Sequence, residues 1–150
     1  MKKAVFLDRD GTLIKDPGYL DALGKIEFYK NSAKALRLLK KAGYLIIVVT
    51  NQSGIARGYF NEGFVRDTHK KIDSMLKKHG AAIDAYYYCP HHIKGSVKKY
   101  SVKCGCRKPL PGMVLKAQKR FGLDLKNSYV AGDKLADVEL AKNTGAGSVL

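Results

Sequence analysis

The chain has 150 residues, 45% of them hydrophobic, which suits one domain with a proper core. No stretch approaches the roughly 20 apolar residues of a membrane span. The short apolar run after Met1-Lys2-Lys3 stops at Asp8-Arg9-Asp10, unlike a signal peptide, so a cytoplasmic protein is expected. The net charge of +15 would attract nucleic acid, an acidic membrane or phosphorylated metabolites, but the lysines are spread over several predicted helices. They form no single basic arm, and a solvated lysine-rich surface is the expectation.

Ala4 to Leu7 is an unbroken apolar run, as in a strand buried on both faces of a parallel sheet. Asp8-Arg9-Asp10-Gly11-Thr12 follows. With extended geometry, Asp8 and Asp10 share one side and Arg9 points away. Two close carboxylates repel, so a cation or a shared proton is expected between them; a plain surface turn is the bland alternative. Ile14 to Lys30 is a long connection, in which Asp16, Pro17, Gly18 and Tyr19 can fold back over the strand ends. Asn31 or Ser32 caps a helix to about Ala42, with Ala35, Leu38, Leu39 and Ala42 inward. A second buried strand spans Tyr44 to Val49 and ends in Thr50-Asn51-Gln52-Ser53-Gly54, a run of hydrogen-bonding groups fit for an anion.

Asn61 or Glu62 begins a helix to about His79, with Val65, Thr68, Ile72, Met75 and Leu76 inward and His69 and His79 as ordinary surface or helix-end residues. A third strand is expected at Ile83 to Tyr88, and an irregular stretch from Cys89 to Cys106. Pro111-Gly112 opens a helix to about Phe121. Tyr129 to Ala131 is a fourth strand, Lys134 to Asn143 a helix with Leu135, Val138 and Leu140 among its apolar positions, and Ser148 to Leu150 a candidate fifth strand. The alternation predicts one α/β domain over residues 1–150: a Rossmann-like three-layer arrangement with a parallel sheet of about five strands and no inserted cap.

Three strand ends then point at one place with Asp8 and Asp10, Thr50 and Asn51, and Asp133, while Arg107-Lys108 lies between the third and fourth strands. Carboxylates from two strands can hold Mg2+, which keeps waters and takes phosphate oxygens, while a hydroxyl and a lysine hold the others. This is equipment for phosphoryl transfer. The three cysteines, Cys89, Cys104 and Cys106, with His91 or His92, offer the three sulfurs and one imidazole of a closed zinc site. A loop poor in apolar residues can be ordered by such a metal.

Asp8-Arg9-Asp10-Gly11-Thr12, Thr50, Lys108 and Gly132-Asp133-Lys134-Leu135-Ala136-Asp137 resemble, in order, the four motifs of the haloacid dehalogenase superfamily of phosphohydrolases. Thr50 to Gly58, Cys89-Pro90-His91-His92, Cys104 to Pro109 and Pro111-Gly112-Met113 narrow the resemblance to its zinc-containing heptose bisphosphate phosphatases, with the histidinol-phosphate phosphatases close by. The twelve residues between His91 and Cys104 are similar to the heptose enzymes.

The resemblance implies Asp8 as nucleophile, Asp10 as general acid and base, and Thr50 and Lys108 as clamps on the transferring phosphoryl group. It implies catalytic Mg2+ at Asp8, the Asp10 backbone carbonyl and Asp133, with Asp137 behind. Structural Zn2+ falls to Cys89, His91, Cys104 and Cys106 in the loop 89–106, where it would hold Arg107 and Lys108 at the site. Asp16, Pro17, Gly18, Tyr19, Asn51, Gln52, Ser53, Arg107, Lys108 and Lys134 would meet the rest of a phosphorylated sugar. The expected protein is a monomer that engages neither a membrane nor nucleic acid. The chain also ends sooner after its fifth strand than the family leads one to expect. The competing functions are histidinol-phosphate phosphatase, polynucleotide 3′-phosphatase, and a zinc-containing nucleic-acid-binding module without enzymatic activity. The last lacks an aromatic-interleaved basic stretch.

Overall fold

The computed structural model describes residues 1–150. In chain order, Lys3–Leu7 is β1, Ser32–Lys41 α1, Tyr44–Asn51 β2, Glu62–Lys77 α2 and Ala85–Cys89 β3. Gly112–Phe121 is α3, Tyr129–Ala131 β4, Leu135–Thr144 α4 and Gly147–Val149 β5. The strands form one five-stranded sheet of order β3-β2-β1-β4-β5, every pair parallel. Leu7 pairs with Val48 of β2 and Ala131 of β4, so the carboxyl ends of the three central strands finish side by side.

The apolar runs of β1 and β2 exist because both faces of the sheet are covered. Ala4, Phe6, Ile47 and Val49 pack with Met113, Val114 and Ala117 of α3 and Leu140 and Ala141 of α4. Val5, Leu7, Ile46 and Val48 pack with Leu36 of α1 and Ile72 and Leu76 of α2. Each of the larger of these side chains contributes about 1.5–3 kcal/mol on burial, which is what fixes the three layers.

Element types match the expectation, while some faces and ends differ. The α1 inner face is Ser32, Ala33, Leu36 and Leu39, and the expected Ala35, Leu38 and Ala42 are exposed. Ser32 explains the rotation: its hydroxyl donates to the Leu13 carbonyl at 2.8 Å, which turns Ser32 inward and brings Leu36 after it. Helix α2 ends at Lys77, and its cap is Asn61, whose side chain accepts from the Phe64 N–H at 2.8 Å. Strand β3 starts two residues late because the Asp84 carboxylate accepts from the Ile46 N–H at 2.7 Å, just before strand pairing begins at Ala85. In α4, Leu135 is exposed and the buried positions are Asp137, Leu140 and Ala141. The connections after β1 and β3 carry only the short 3-10 turns Leu23–Lys25 and Lys98–Tyr100.

Candidate active site

At the carboxyl end of β1 the chain turns on Gly11, at φ +89°. A Cβ there would collide with the Asp133 carboxylate, which comes from the turn after β4. Two strand ends separated by more than a hundred residues thus meet without a side chain between them. Asp8, Asp133 and Asp137 each offer a carboxylate oxygen, and the three oxygens lie within 4.8 Å of one another. Lys108 is buried among them; its ammonium donates to Asp8 Oδ1 at 3.0 Å and to Asp137 Oδ1 at 2.7 Å. The other Asp137 oxygen accepts from the Lys134 N–H at the start of α4, which fixes that carboxylate in place.

Formally, three negative charges surround one positive charge. The Asp8 carboxyl is raised to about 6: burial raises it most, Lys108 offsets part of that and Asp137 adds to it. The donor set is all oxygen and its charge is short of neutral by about that of one divalent ion, so these residues fit Mg2+.

Arg9 does not stay apart from Asp10. Its guanidinium forks onto the Asp10 carboxylate, with Nε to Oδ1 at 2.9 Å and Nη2 to Oδ2 at 3.0 Å. Gln52 donates to the same Asp10 oxygen at 3.2 Å and to Thr50 Oγ1 at 2.9 Å. The Asp10 side chain is therefore turned toward these donors and is not among the three clustered carboxylates. The Thr50 hydroxyl is buried, with its own proton free to donate.

These groups border a cavity of about 340 Å³. It is lined by Asp8, Asp10, Thr50 and Lys108, and by Asp16, Gly18, Tyr19, Asn51, Gln52, Ser53, Arg107 and Lys134. Of the residues expected to meet substrate, only the exposed Pro17 does not line it. Asp16 tightens its loop by accepting from the Gly18 N–H at 2.8 Å. Asn51 also bonds the Lys108 backbone in both directions through its side chain, at 2.9 and 3.3 Å, and so aligns that lysine. Leu20, Gly54, Ala136 and Asp137 also line the cavity.

Cys89, His91, Cys104 and Cys106 converge, with one ligand atom each within 4.8 Å of the others. His91 presents Nδ1 at 3.6 Å from Cys89 Sγ and 3.3 Å from Cys106 Sγ. His92 is turned elsewhere, with Nδ1 accepting from the Lys94 N–H at 3.0 Å. Burial pushes the Cys89 thiol up, so a thiolate there needs a cation, and this set of three sulfurs and one imidazole fits Zn2+. The last sulfur directly precedes Arg107 and Lys108, and Arg107 donates to the His91 carbonyl at 3.4 Å.

His69 is a miss of the sequence reading. It is only 6% exposed, on the inner face of α2, and its ring meets Arg9. Two patterns pointed there: Arg9 continues the face of Val5 and Leu7, and His69 stands one helical turn from Val65 and near Ile72.

A family described as polynucleotide kinase 3 phosphatase matches residues 3–144. The D-glycero-beta-D-manno-heptose-1,7-bisphosphate 7-phosphatase of Pasteurella multocida is 47% identical over 142 residues, covering 95% of this chain and 77% of its own. The enzyme of that name from Escherichia coli K12 is 44% identical, covering 97% and 76%. Among solved structures, a putative haloacid dehalogenase-like phosphatase from Mesorhizobium loti superposes with a TM-score of 0.92 at 37% identity, covering 97% of this chain and 69% of that one. The D,D-heptose 1,7-bisphosphate phosphatase of B. bronchiseptica, complexed with magnesium and phosphate, superposes at 0.85 with 32% identity, covering 97% and 78%. With a family match over nearly its whole length and relatives of this identity, the chain belongs to the haloacid dehalogenase-like phosphatases, in the polynucleotide kinase 3 phosphatase family and beside its D-glycero-beta-D-manno-heptose-1,7-bisphosphate 7-phosphatase relatives.

Proposed function

We propose that this chain removes the C7 phosphate of D-glycero-D-manno-heptose 1,7-bisphosphate through an aspartyl-phosphate on Asp8. The observation that carries the reading is the buried Asp8–Lys108–Asp137 contact beside Asp133, on a scaffold shared with enzymes of that name. Those relatives are named for the β anomer, which supports the same preference here.

Asp8 attacks phosphorus in line and the bond to the sugar oxygen breaks. Asp10 gives that oxygen its proton, then takes one from the water that cleaves the aspartyl-phosphate. Thr50 and Lys108 hold the phosphoryl oxygens through the transfer. When bound at Asp8, the Asp10 carbonyl and Asp133, with Asp137 supporting, Mg2+ supplies charge neutralisation at the transferring phosphate. Cys89, His91, Cys104 and Cys106 would hold Zn2+, which would order residues 89–106 and keep Arg107 at the cavity. Arg107, Lys134, the Asp16–Tyr19 loop, Gln52 and Ser53 meet the remainder of the sugar. The enzyme is taken as a cytoplasmic monomer; no helix is long and apolar enough to cross a membrane.

A second reading, a polynucleotide 3′-phosphatase, is favoured by the family's description and the charge of +15. Phosphate release with Mg2+ from heptose bisphosphate, histidinol phosphate and a 3′-phosphorylated oligonucleotide separates the possibilities. The highest kcat/KM is expected on the heptose. Asp8→Asn should lose at least about 10⁴-fold in turnover with its fold unchanged, and near-normal turnover would remove Asp8 as nucleophile.

A further inference from the structure

Arg9 is only 1% exposed, an uncommon burial for a guanidinium, and the proposed phosphatase mechanism gives it no part. Two of its nitrogens grip Asp10, as described. The third, Nη1, lies 3.2 Å from His69 Nε2. A guanidinium only donates, so Nε2 must accept and the ring proton sits on Nδ1. Burial first, and the Arg9 charge second, hold the His69 imidazolium down to a pKa of about 3, so the ring stays a neutral acceptor. The ring is itself immobilised: it stacks on Tyr86 of β3 with centroids 4.2 Å apart and planes 12° from parallel. The Tyr86 hydroxyl in turn donates to Asp73 Oδ1 at 2.7 Å, one helical turn beyond His69 on α2.

We propose that His69 is a positioning residue for phosphoryl transfer: by accepting from Arg9 Nη1, it fixes the guanidinium fork that aims the Asp10 carboxyl at the leaving oxygen. Without that acceptor a buried donor is left unpaired, and Arg9 regains a partner only by turning its fork away from Asp10. The step affected is the first. As Asp8 bonds phosphorus, the bond to the sugar oxygen breaks, its electron pair stays on that oxygen, and the Asp10 proton neutralises it. The proposal rests on the reading of Asp10 as the acid.

The leaving group provides the test. A sugar alkoxide needs protonation, whereas p-nitrophenolate leaves without it. His69→Phe keeps a ring against Tyr86 and removes the acceptor. Its kcat/KM should fall about 10- to 100-fold for heptose bisphosphate and less than about threefold for p-nitrophenyl phosphate. His69→Gln, whose amide oxygen accepts, should recover most of the loss. Arg9→Lys, which keeps the charge without the fork, should reproduce the selective loss and serves where the Phe variant folds poorly. Equal losses on both substrates, no loss, or a Gln variant as impaired as Phe would overturn the proposal. Asp10→Asn is the control: a selective loss there with an unselective His69→Phe rejects His69 alone, whereas an unselective Asp10→Asn rejects the acid itself.

Discussion

Lys108 Nζ donates to Asp8 Oδ1 at 3.0 Å across 100 positions of sequence, and both side chains are almost fully shielded from water. The same ammonium neutralises Asp137, so its removal leaves two buried carboxylates facing each other. Lys108→Met should cost about 3–5 kcal/mol of stability at pH 7 without magnesium, because the uncompensated charges remain buried. The loss should shrink at pH 5, where the carboxyls take up protons, and shrink again on adding Mg2+. Urea titrations under the three conditions measure it. Turnover should fall by about 10³-fold or more, since the proposed clamp on the transferring group is removed.

Gly11 permits the Asp8 and Asp133 strand ends to approach, and its positive φ compounds the demand. Gly11→Ala should lose nearly all turnover. Isothermal titration should show weakened Mg2+ binding, since a Cβ displaces the Asp133 carboxylate. Gly105→Ala, where a Cβ meets nothing within 4 Å, should behave as wild type in the same titration.

Cys104→Ser should lose its zinc and, with it, most of the activity. The Cys89, His91, Cys104 and Cys106 cluster joins the two ends of the loop 89–106, and Arg107 and Lys108 follow its last member. Metal analysis beside kcat/KM checks this, and added Mg2+ alone should not restore the rate. A zinc-free protein of full activity would remove the loop from the functional account.

His69 also predicts a pH dependence of stability. Its pKa is about 3 when folded against an ordinary 6.5, so below pH 6.5 the unfolded chain binds a proton that the folded one refuses. Stability from this group is complete above pH 6.5 and is lost as pH falls, at about 1.4 kcal/mol per pH unit. Asp8 works the other way in metal-free protein: its folded pKa of about 6 exceeds the ordinary 3.8, so stability from it rises as pH falls. Subtracting the His69→Phe variant isolates the histidine. The difference in unfolding free energy between wild type and variant should shift by about 2 kcal/mol against wild type from pH 7 to pH 5.

Much of this was legible before any coordinates. The apolar runs at Ala4–Leu7 and Tyr44–Val49, and their polar ends, gave the sheet and the edge where Asp8, Thr50 and Asp133 gather, because burial on both faces leaves a pattern in the letters. The Cys and His spacing gave the Cys89, Cys104 and Cys106 cluster, and the family resemblance chose His91 over His92 as its fourth member. What was hidden depended on tertiary partners. Ser32 turned α1 by bonding Leu13, 19 positions away, which spacing within the helix does not encode. His69 reads as polar, yet a stacked Tyr86 and a buried Arg9 draw it inward. Arg9 was expected to point away from Asp8 and Asp10, because backbone alternation says where a side chain starts, not where a long flexible one ends.

The sheet order has a last consequence, for synthesis. β1 is made first but lies in the middle, and its second neighbour, β4, begins only at Tyr129. On the ribosome, the strand that leads to Asp8 must wait with one edge bare until the residues through Tyr129 are translated. A stalled or truncated product therefore carries Asp8 without Asp133 or the companion strand, and the carboxylate cluster does not exist along the way.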